Sequence, residues 1–91
     1  MWSEVCITCE NKALHLFIDA ISKGFEPELE VIGNGKYRLY WPAVKWYPNY
    51  EEVKAIEEMT QYIIDHHKNE DGYHFNFYKH CEDGEIRKIE N

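Results

Sequence analysis

Residues Trp41 to Ile64 read WPAVKWYPNYEEVKAIEEMTQYII, and the change of pattern inside this stretch decides the fold. Its first ten residues hold two tryptophans, two prolines and two tyrosines. Beyond them apolar side chains recur at helical spacing. Val53, Ile56, Thr60, Ile63 and His67 line one face, with Met59 and Ile64 at its margins. Asn49, with Glu52 three residues on, resembles a capping box in which Asn replaces Ser or Thr. Glu51 and Glu52 also suit the positive end of a helix dipole. Pro42 has no N–H for a ladder, so a strand ends near it or continues only at an edge. The stretch is therefore a hinge: a strand closes, an aromatic segment turns, and the best helix of the chain opens.

Working outward from it, Leu29 to Trp41 reads as a hairpin. Asn34-Gly35 supplies the positive φ angles of a type I′ turn, with Leu29, Val31 and Ile32 before it and Tyr37, Leu39 and Trp41 after. Asn11 to Ser22 carries Leu14, Phe17, Ile18 and Ile21 on one helical face, with Asn11 as N-cap and Gly24 as the stop. Glu4 to Cys9 alternates, Val5, Ile7 and Cys9 facing one way and Glu4, Cys6 and Thr8 the other, as in a half-buried strand. On the far side, Asn69 to Gly72 ends the second helix. Tyr73 to Cys81 then alternates, with Tyr73, Phe75 and Phe77 inward. Asp83-Gly84 predicts a two-residue turn, and Glu85 to Glu90 a short, charged edge strand.

The element order is β-α-β-β-α-β with one further strand. This predicts a single α+β domain over residues 1–91, ferredoxin-like in order, with two helices on one face of a mainly antiparallel sheet. Ninety-one residues leave no room for a second core. A content of 44% hydrophobic and 15% aromatic residues argues against disorder. Ten basic against 17 acidic residues give a net charge of −7, the wrong sign for nucleic acid or an anionic membrane. A basic partner is the complementary reading, and solubility alone is the plainer one. Neither a signal peptide nor an apolar run near the ~18 residues of a membrane span is visible. Three cysteines cannot pair fully within one chain, which fits a reduced, cytoplasmic setting.

The residues that carry chemistry elsewhere give little support to an enzyme here. Cys6-Ile7-Thr8-Cys9 has CxxC spacing, but on a strand the two thiols point to opposite faces. Only Cys9, at the strand end before a helix, has a hint of activation by the helix dipole. His80-Cys81 is the one further pair a metal would need. His66 and His67 diverge by about 100° on a helix, and His15, His74 and His80 are scattered. Ser3 and Ser22 lie in no nucleophile motif. Gly33-Asn34-Gly35 is a turn rather than a phosphate loop. The expectation is no catalytic residue, no metal and no cofactor. An RNA-recognition module would place aromatic and basic residues on the two central strands. Here those strands offer Glu4, Cys6 and Thr8, and then Arg38 and Tyr40, so direct nucleic-acid binding is not expected.

What remains is surface. Residues 48–71 hold Glu51, Glu52, Glu57, Glu58, Asp65, Glu70 and Asp71 against Lys54 and Lys68, a net −5 of the total −7. Trp46, Tyr47 and Tyr50 adjoin them. Aromatic anchors beside a charge field of one sign are what a protein-binding surface uses. The expected contact residues are Trp46, Tyr47, Tyr50, Glu51, Glu52, Glu57 and Glu58. A tryptophan buried in the core and a merely solvated helix face are the alternatives.

Lys45 to Met59, KWYPNYEEVKAIEEM, resembles a segment of small uncharacterised bacteriophage proteins, in which a similar Lys-Trp-Tyr, an aromatic and a Glu-Val precede a helix. Cys6-Ile7-Thr8-Cys9 running into an amphipathic helix, and then a Gly-Lys-Tyr hairpin strand, follow the same order. The resemblance implies a phage-encoded ferredoxin-like protein that binds a host factor, and it transfers no catalytic residue. Together these observations predict an acidic, non-enzymatic protein that occupies a basic surface of a host defence or nucleic-acid-handling protein. A homo-oligomeric assembly module, or a binder of a small nucleotide on the open sheet face, is the alternative.

Overall fold

In the computed structural model, which describes all residues from Met1 to Asn91, β1 (Ser3–Glu10) is the middle strand of a five-stranded sheet. It pairs with β3 (Lys36–Val44) on one side and β4 (Phe75–Cys81) on the other. β2 (Glu28–Gly33) lies outside β3, and β5 (Ile86–Glu90) outside β4, giving the order β2-β3-β1-β4-β5. Every neighbouring pair is antiparallel. Helix α1 (Asn11–Ala20) joins β1 to β2, and α2 (Glu51–His66) joins β3 to β4. Each helix therefore links two strands that have a third between them. No helix is long and apolar enough to cross a membrane.

The alternation along the strands sets the core. Val5, Ile7, Cys9, Leu39, Trp41, Phe75 and Phe77 form one cluster with Ala13, Leu14 and Phe17 of α1 and Val53, Ile56 and Ile63 of α2. Both helices thus cover the same sheet face. Phe17 meets Phe75 edge to face, with ring centres 5.3 Å apart, a favoured geometry for aromatic pairs. Thr60 is buried on α2, where its hydroxyl donates to the Glu57 carbonyl at 2.6 Å. His67, just past the helix, is half-buried and stacks on Tyr73 with ring centres 3.7 Å apart.

The first hairpin turns as expected, with Asn34 at φ 55° and Gly35 at φ 74°. The register slips between Val31 and Gly33, so β2 carries a bulge at its end. The second hairpin differs from expectation. Cys81 N–H donates to the Glu85 carbonyl at 2.9 Å, which leaves three loop residues, Glu82-Asp83-Gly84, rather than two. Gly84, at φ 95°, takes the left-handed position that such a three-residue loop requires.

The helix ends also differ. Helix α1 stops at Ala20, before Ser22, because Ile21 is already extended while its N–H still donates to Phe17 and Ile18. Its N-terminal N–H groups are met from across the fold: the Gly72 carbonyl accepts from both Lys12 and Ala13 at 3.0 Å. Asn11 is the first helical residue, not the N-cap. Glu10 closes this junction, its carboxylate accepting from Gly72 N–H at 2.9 Å and His74 N–H at 3.1 Å. Helix α2 begins at Glu51 after an extended Tyr50 and has no side-chain cap, so the Asn49–Glu52 box does not form.

Candidate protein-binding surface

Trp46 lies inside the fold. It is 3% exposed, and its ring centre is 5.4 Å from Trp41, 5.6 Å from Phe25 and 5.8 Å from Phe77. Its indole N–H donates to Glu57 Oε2 at 2.9 Å, and the other oxygen of Glu57 pairs with Arg87 at 2.5 Å. Two of the seven expected contact residues are therefore corrected. Trp46 is a core side chain, and Glu57 is a structural carboxylate that holds the hinge and β5 to α2. The physical reason is common to both: an indole N–H buried by packing must find an acceptor, and the half-buried Glu57 carboxylate of α2 supplies it.

The other five stay at the surface. Tyr47 is half-buried, and its hydroxyl accepts from the Met1 ammonium at 2.5 Å. Tyr47 and Tyr50 meet edge to face at 5.2 Å, and Tyr50 is 37% exposed. Glu51 and Glu58 are exposed, and Glu52 is half-buried. At 100° per residue, the direction opposite the buried face of α2 is occupied by Glu51, Glu58, Tyr62 and Asp65. Tyr62 is 45% exposed and its ring centre is 4.5 Å from that of His66. It completes an outward stripe that runs about 21 Å from Glu51 to Asp65, at 1.5 Å of rise per residue. The pattern reading passed over Tyr62, although its place four residues after Glu58 and three before Asp65 marks it as an aromatic inside the acidic stripe.

The stripe is electrostatically uncompensated. Arg87–Glu57 is the ion pair of the molecule, His67–Glu70 and His74–Asp71 are histidine–carboxylate contacts, and none of the three uses Glu51, Glu52, Glu58 or Asp65. Lys54 is the one cation on this side of α2. Glu51 and Glu52 in the first turn are favoured by the helix dipole, but Asp65 sits in the last turn, where a negative charge is disfavoured. Its only side-chain contact by hydrogen bond is Gln61, which donates at 2.9 Å.

The sheet face away from the helices is polar and largely satisfied by itself. Tyr40 donates to Glu4 Oε2 at 2.6 Å, and this bond, with burial, holds its hydroxyl above the ordinary tyrosine range. The Arg38 guanidinium lies 4.4 Å from the Tyr40 ring centre, and Cys6 beside it holds the arginine above its ordinary value. Arg38 Nε is buried without a hydrogen-bond partner. Arg38 and Tyr40 are thus on the open face, as expected from the strand pattern, but they are engaged with each other and with Glu4.

The CxxC pair is split as the alternation required. Cys6 is half-buried on the open face and Cys9 is buried in the core. Burial, and then the neighbouring Cys6, push the Cys9 thiol up to about 12. This reverses the activation expected from the adjoining helix, because desolvation of a thiolate outweighs the dipole. Cys81 is buried and its sulfur accepts from the Ser3 hydroxyl at 3.4 Å. No three His, Cys, Asp or Glu side chains form a group that would hold a metal ion. Comparison with protein-family models, curated proteins and solved structures finds no match.

Proposed function

We propose that this chain is a non-enzymatic binding protein whose second helix covers a basic surface on another protein. The observation that carries this reading is the outward stripe of α2: Glu51, Glu58 and Asp65 without ion-pair partners, with Tyr62 exposed among them. Tyr50, edge to face with Tyr47, extends the aromatic contact at the start of the helix. A tyrosine offers large contact area at low entropic cost, and carboxylates around it steer and orient a cationic partner. Asp65 supports the reading because its charge is disfavoured in the last turn and is met only by the neutral Gln61 amide four residues before it.

Occlusion is the mechanism. The carboxylates stand where phosphates of a nucleic acid would lie on the partner, so a host defence or nucleic-acid-handling protein is the target class. The resemblance around Lys45 to Met59 supports a location in the cytoplasm of a phage-infected host. The strand order, with each helix crossing over one strand, supports a ferredoxin-like βαββαβ unit to which β5 adds a strand outside β4.

The test is a tagged-protein capture from bacterial lysate at low and high salt, followed by affinity measurement with the purified partner. Glu58→Lys with Asp65→Lys should weaken binding at least tenfold and flatten its salt dependence. Tyr62→Ala should weaken it without changing the salt slope. Affinity and salt slope unchanged in the first variant would sink the reading.

A further inference from the structure

The two edges of the sheet are unlike. β5 presents Arg87, Lys88 and Glu90, the charges that block edge pairing. β2 presents Leu29, Val31 and Ile32, which are 55, 70 and 49% exposed. Its outer row of backbone groups has no strand beside it. Leu29 and Val31 stand opposite Leu39 and Tyr37, on the helix side of the sheet, and Ile18 of α1 is 47% exposed. Together Ile18, Ile21, Pro27, Leu29 and Leu39, with Glu26 at one side, line a shallow groove of about 260 Å³ along this edge. Glu28 and Glu30 stand opposite Tyr40 and Arg38, on the other side of the sheet. The edge segment Glu26 to Gly33, EPELEVIG, holds three carboxylates and no cation.

A second copy fits this edge poorly. Antiparallel pairing of β2 with itself, faces matched, sets Glu28 against Glu28, Glu28 against Glu30, or Glu30 against Glu30. Like charges directly opposite are destabilising. The one register that avoids this centres on Val31 and runs through the bulge next to Gly33. Each copy also carries −7. An added strand must instead supply apolar side chains toward Leu29, Val31 and Ile18 and cations toward Glu28 and Glu30. Arg38 offsets part of the Glu30 charge from behind, which leaves Glu26 and Glu28 as the stronger cation contacts.

We propose that the β2 edge binds an extended, basic polypeptide segment of alternating apolar and Lys or Arg residues, added as a sixth antiparallel strand. Backbone hydrogen bonds to the open edge give affinity, and the alternation gives specificity. This surface is separate from the acidic stripe of α2, since α2 is tied to β5 at the opposite edge through Glu57 and Arg87.

The test uses the full chain and a fluorescein-labelled nine-residue peptide alternating lysine and valine. Anisotropy reads affinity, and ¹⁵N amide spectra and amide exchange read the site. The expected result is saturable binding, new protection of β2 amides and shifts at Ile18, Leu29 and Val31. A peptide alternating glutamate and valine should not bind. Leu29→Lys and Val31→Lys, at side chains already exposed, should each weaken binding at least tenfold, whereas Ile86→Lys, the same change at an exposed residue of the opposite edge strand, should change it less than twofold. Shifts confined to α2, no saturable binding, or a doubled mass with β2 amides protected in the absence of peptide would each overturn the proposal. Because the β2 variants and the α2 variants lie on different elements, failure here leaves the α2 reading standing, and the reverse.

Discussion

The indole N–H of Trp46 donates to Glu57 at 2.9 Å, and through Glu57 the tryptophan is joined to Arg87 of the last strand. Three segments that are distant in sequence share one carboxylate: the aromatic hinge, the second helix and the edge strand. Glu57 and Glu58 are neighbours in sequence, yet one is part of the fold and the other faces solvent.

That difference is measurable. Glu57→Ala leaves the buried indole N–H without an acceptor and Arg87 without its partner, a loss of about 1–3 kcal/mol. Glu58→Ala removes a solvated carboxylate and should change stability by no more than about 0.5 kcal/mol. Urea denaturation should show a lower midpoint for the first variant at unchanged slope, and no shift for the second. Equal midpoints would show that the Trp46–Glu57–Arg87 link carries no stability.

Tyr62 is the converse case, an aromatic that the core does not need. Tyr62→Ala is expected to keep the melting midpoint of the parent within the effect of an ordinary surface substitution. A clear fall in the midpoint would mean that Tyr62 anchors His66 and the end of α2, and would weigh against a contact role.

The alternation of the central strands and the buried face of α2 were legible because burial repeats with the period of the backbone, whereas on α1 Leu14 and Phe17 are buried but Ile18, read as part of the same face, is 47% exposed. Val5, Ile7 and Cys9, and then Val53, Ile56, Thr60 and Ile63, are buried as their spacing requires. The Asn34-Gly35 turn was legible because its positive φ angles need those residue types. What could not be read was whatever depends on a partner far along the chain. The cap of α1 is a carbonyl of Gly72, so no local residue pattern announces it. Trp46 looked like an anchor because composition cannot say which side of the hinge faces Phe25, Trp41 and Phe77. Tyr62 was missed because one tyrosine on the polar side of a helix breaks no pattern.

The thiols should react in the order of their exposure. With a maleimide at neutral pH the native protein should lose one thiol, Cys6, while Cys9 and Cys81 wait for unfolding. Two or three thiols modified at once would place a second cysteine at the surface.

Cys9 also sets a pH dependence. Its value rises from 9.0 to about 12 on folding, chiefly through burial. Above pH 9 the unfolded chain therefore gives up this proton while the native state keeps it, and stability falls as pH climbs from 9.0 toward 12. Cys9→Ala should show a shallower decline across that window, whatever its stability at neutral pH. A slope identical to the parent would assign the alkaline decline to other groups.

Gly35 and Gly72 both hold positive φ angles, +74° and +89°, but their surroundings differ. At Gly35 an added Cβ meets nothing within 4 Å, so Gly35→Ala should cost only the left-handed backbone, about 1–2 kcal/mol. At Gly72 the same Cβ would lie 2.7 Å from Lys12 Cδ, and Lys12 N–H is one of the two that the Gly72 carbonyl caps. Gly72→Ala should therefore add a weakened helix cap, about 0.5–2 kcal/mol more. A double-mutant cycle with Lys12→Ala separates the terms: removing the lysine should relieve the contact and recover part of the loss, leaving the backbone strain. A cycle with no coupling would mean that the Lys12 side chain simply swings aside. If Gly72→Ala cost no more than Gly35→Ala, the 72–74 loop would not be holding the start of α1.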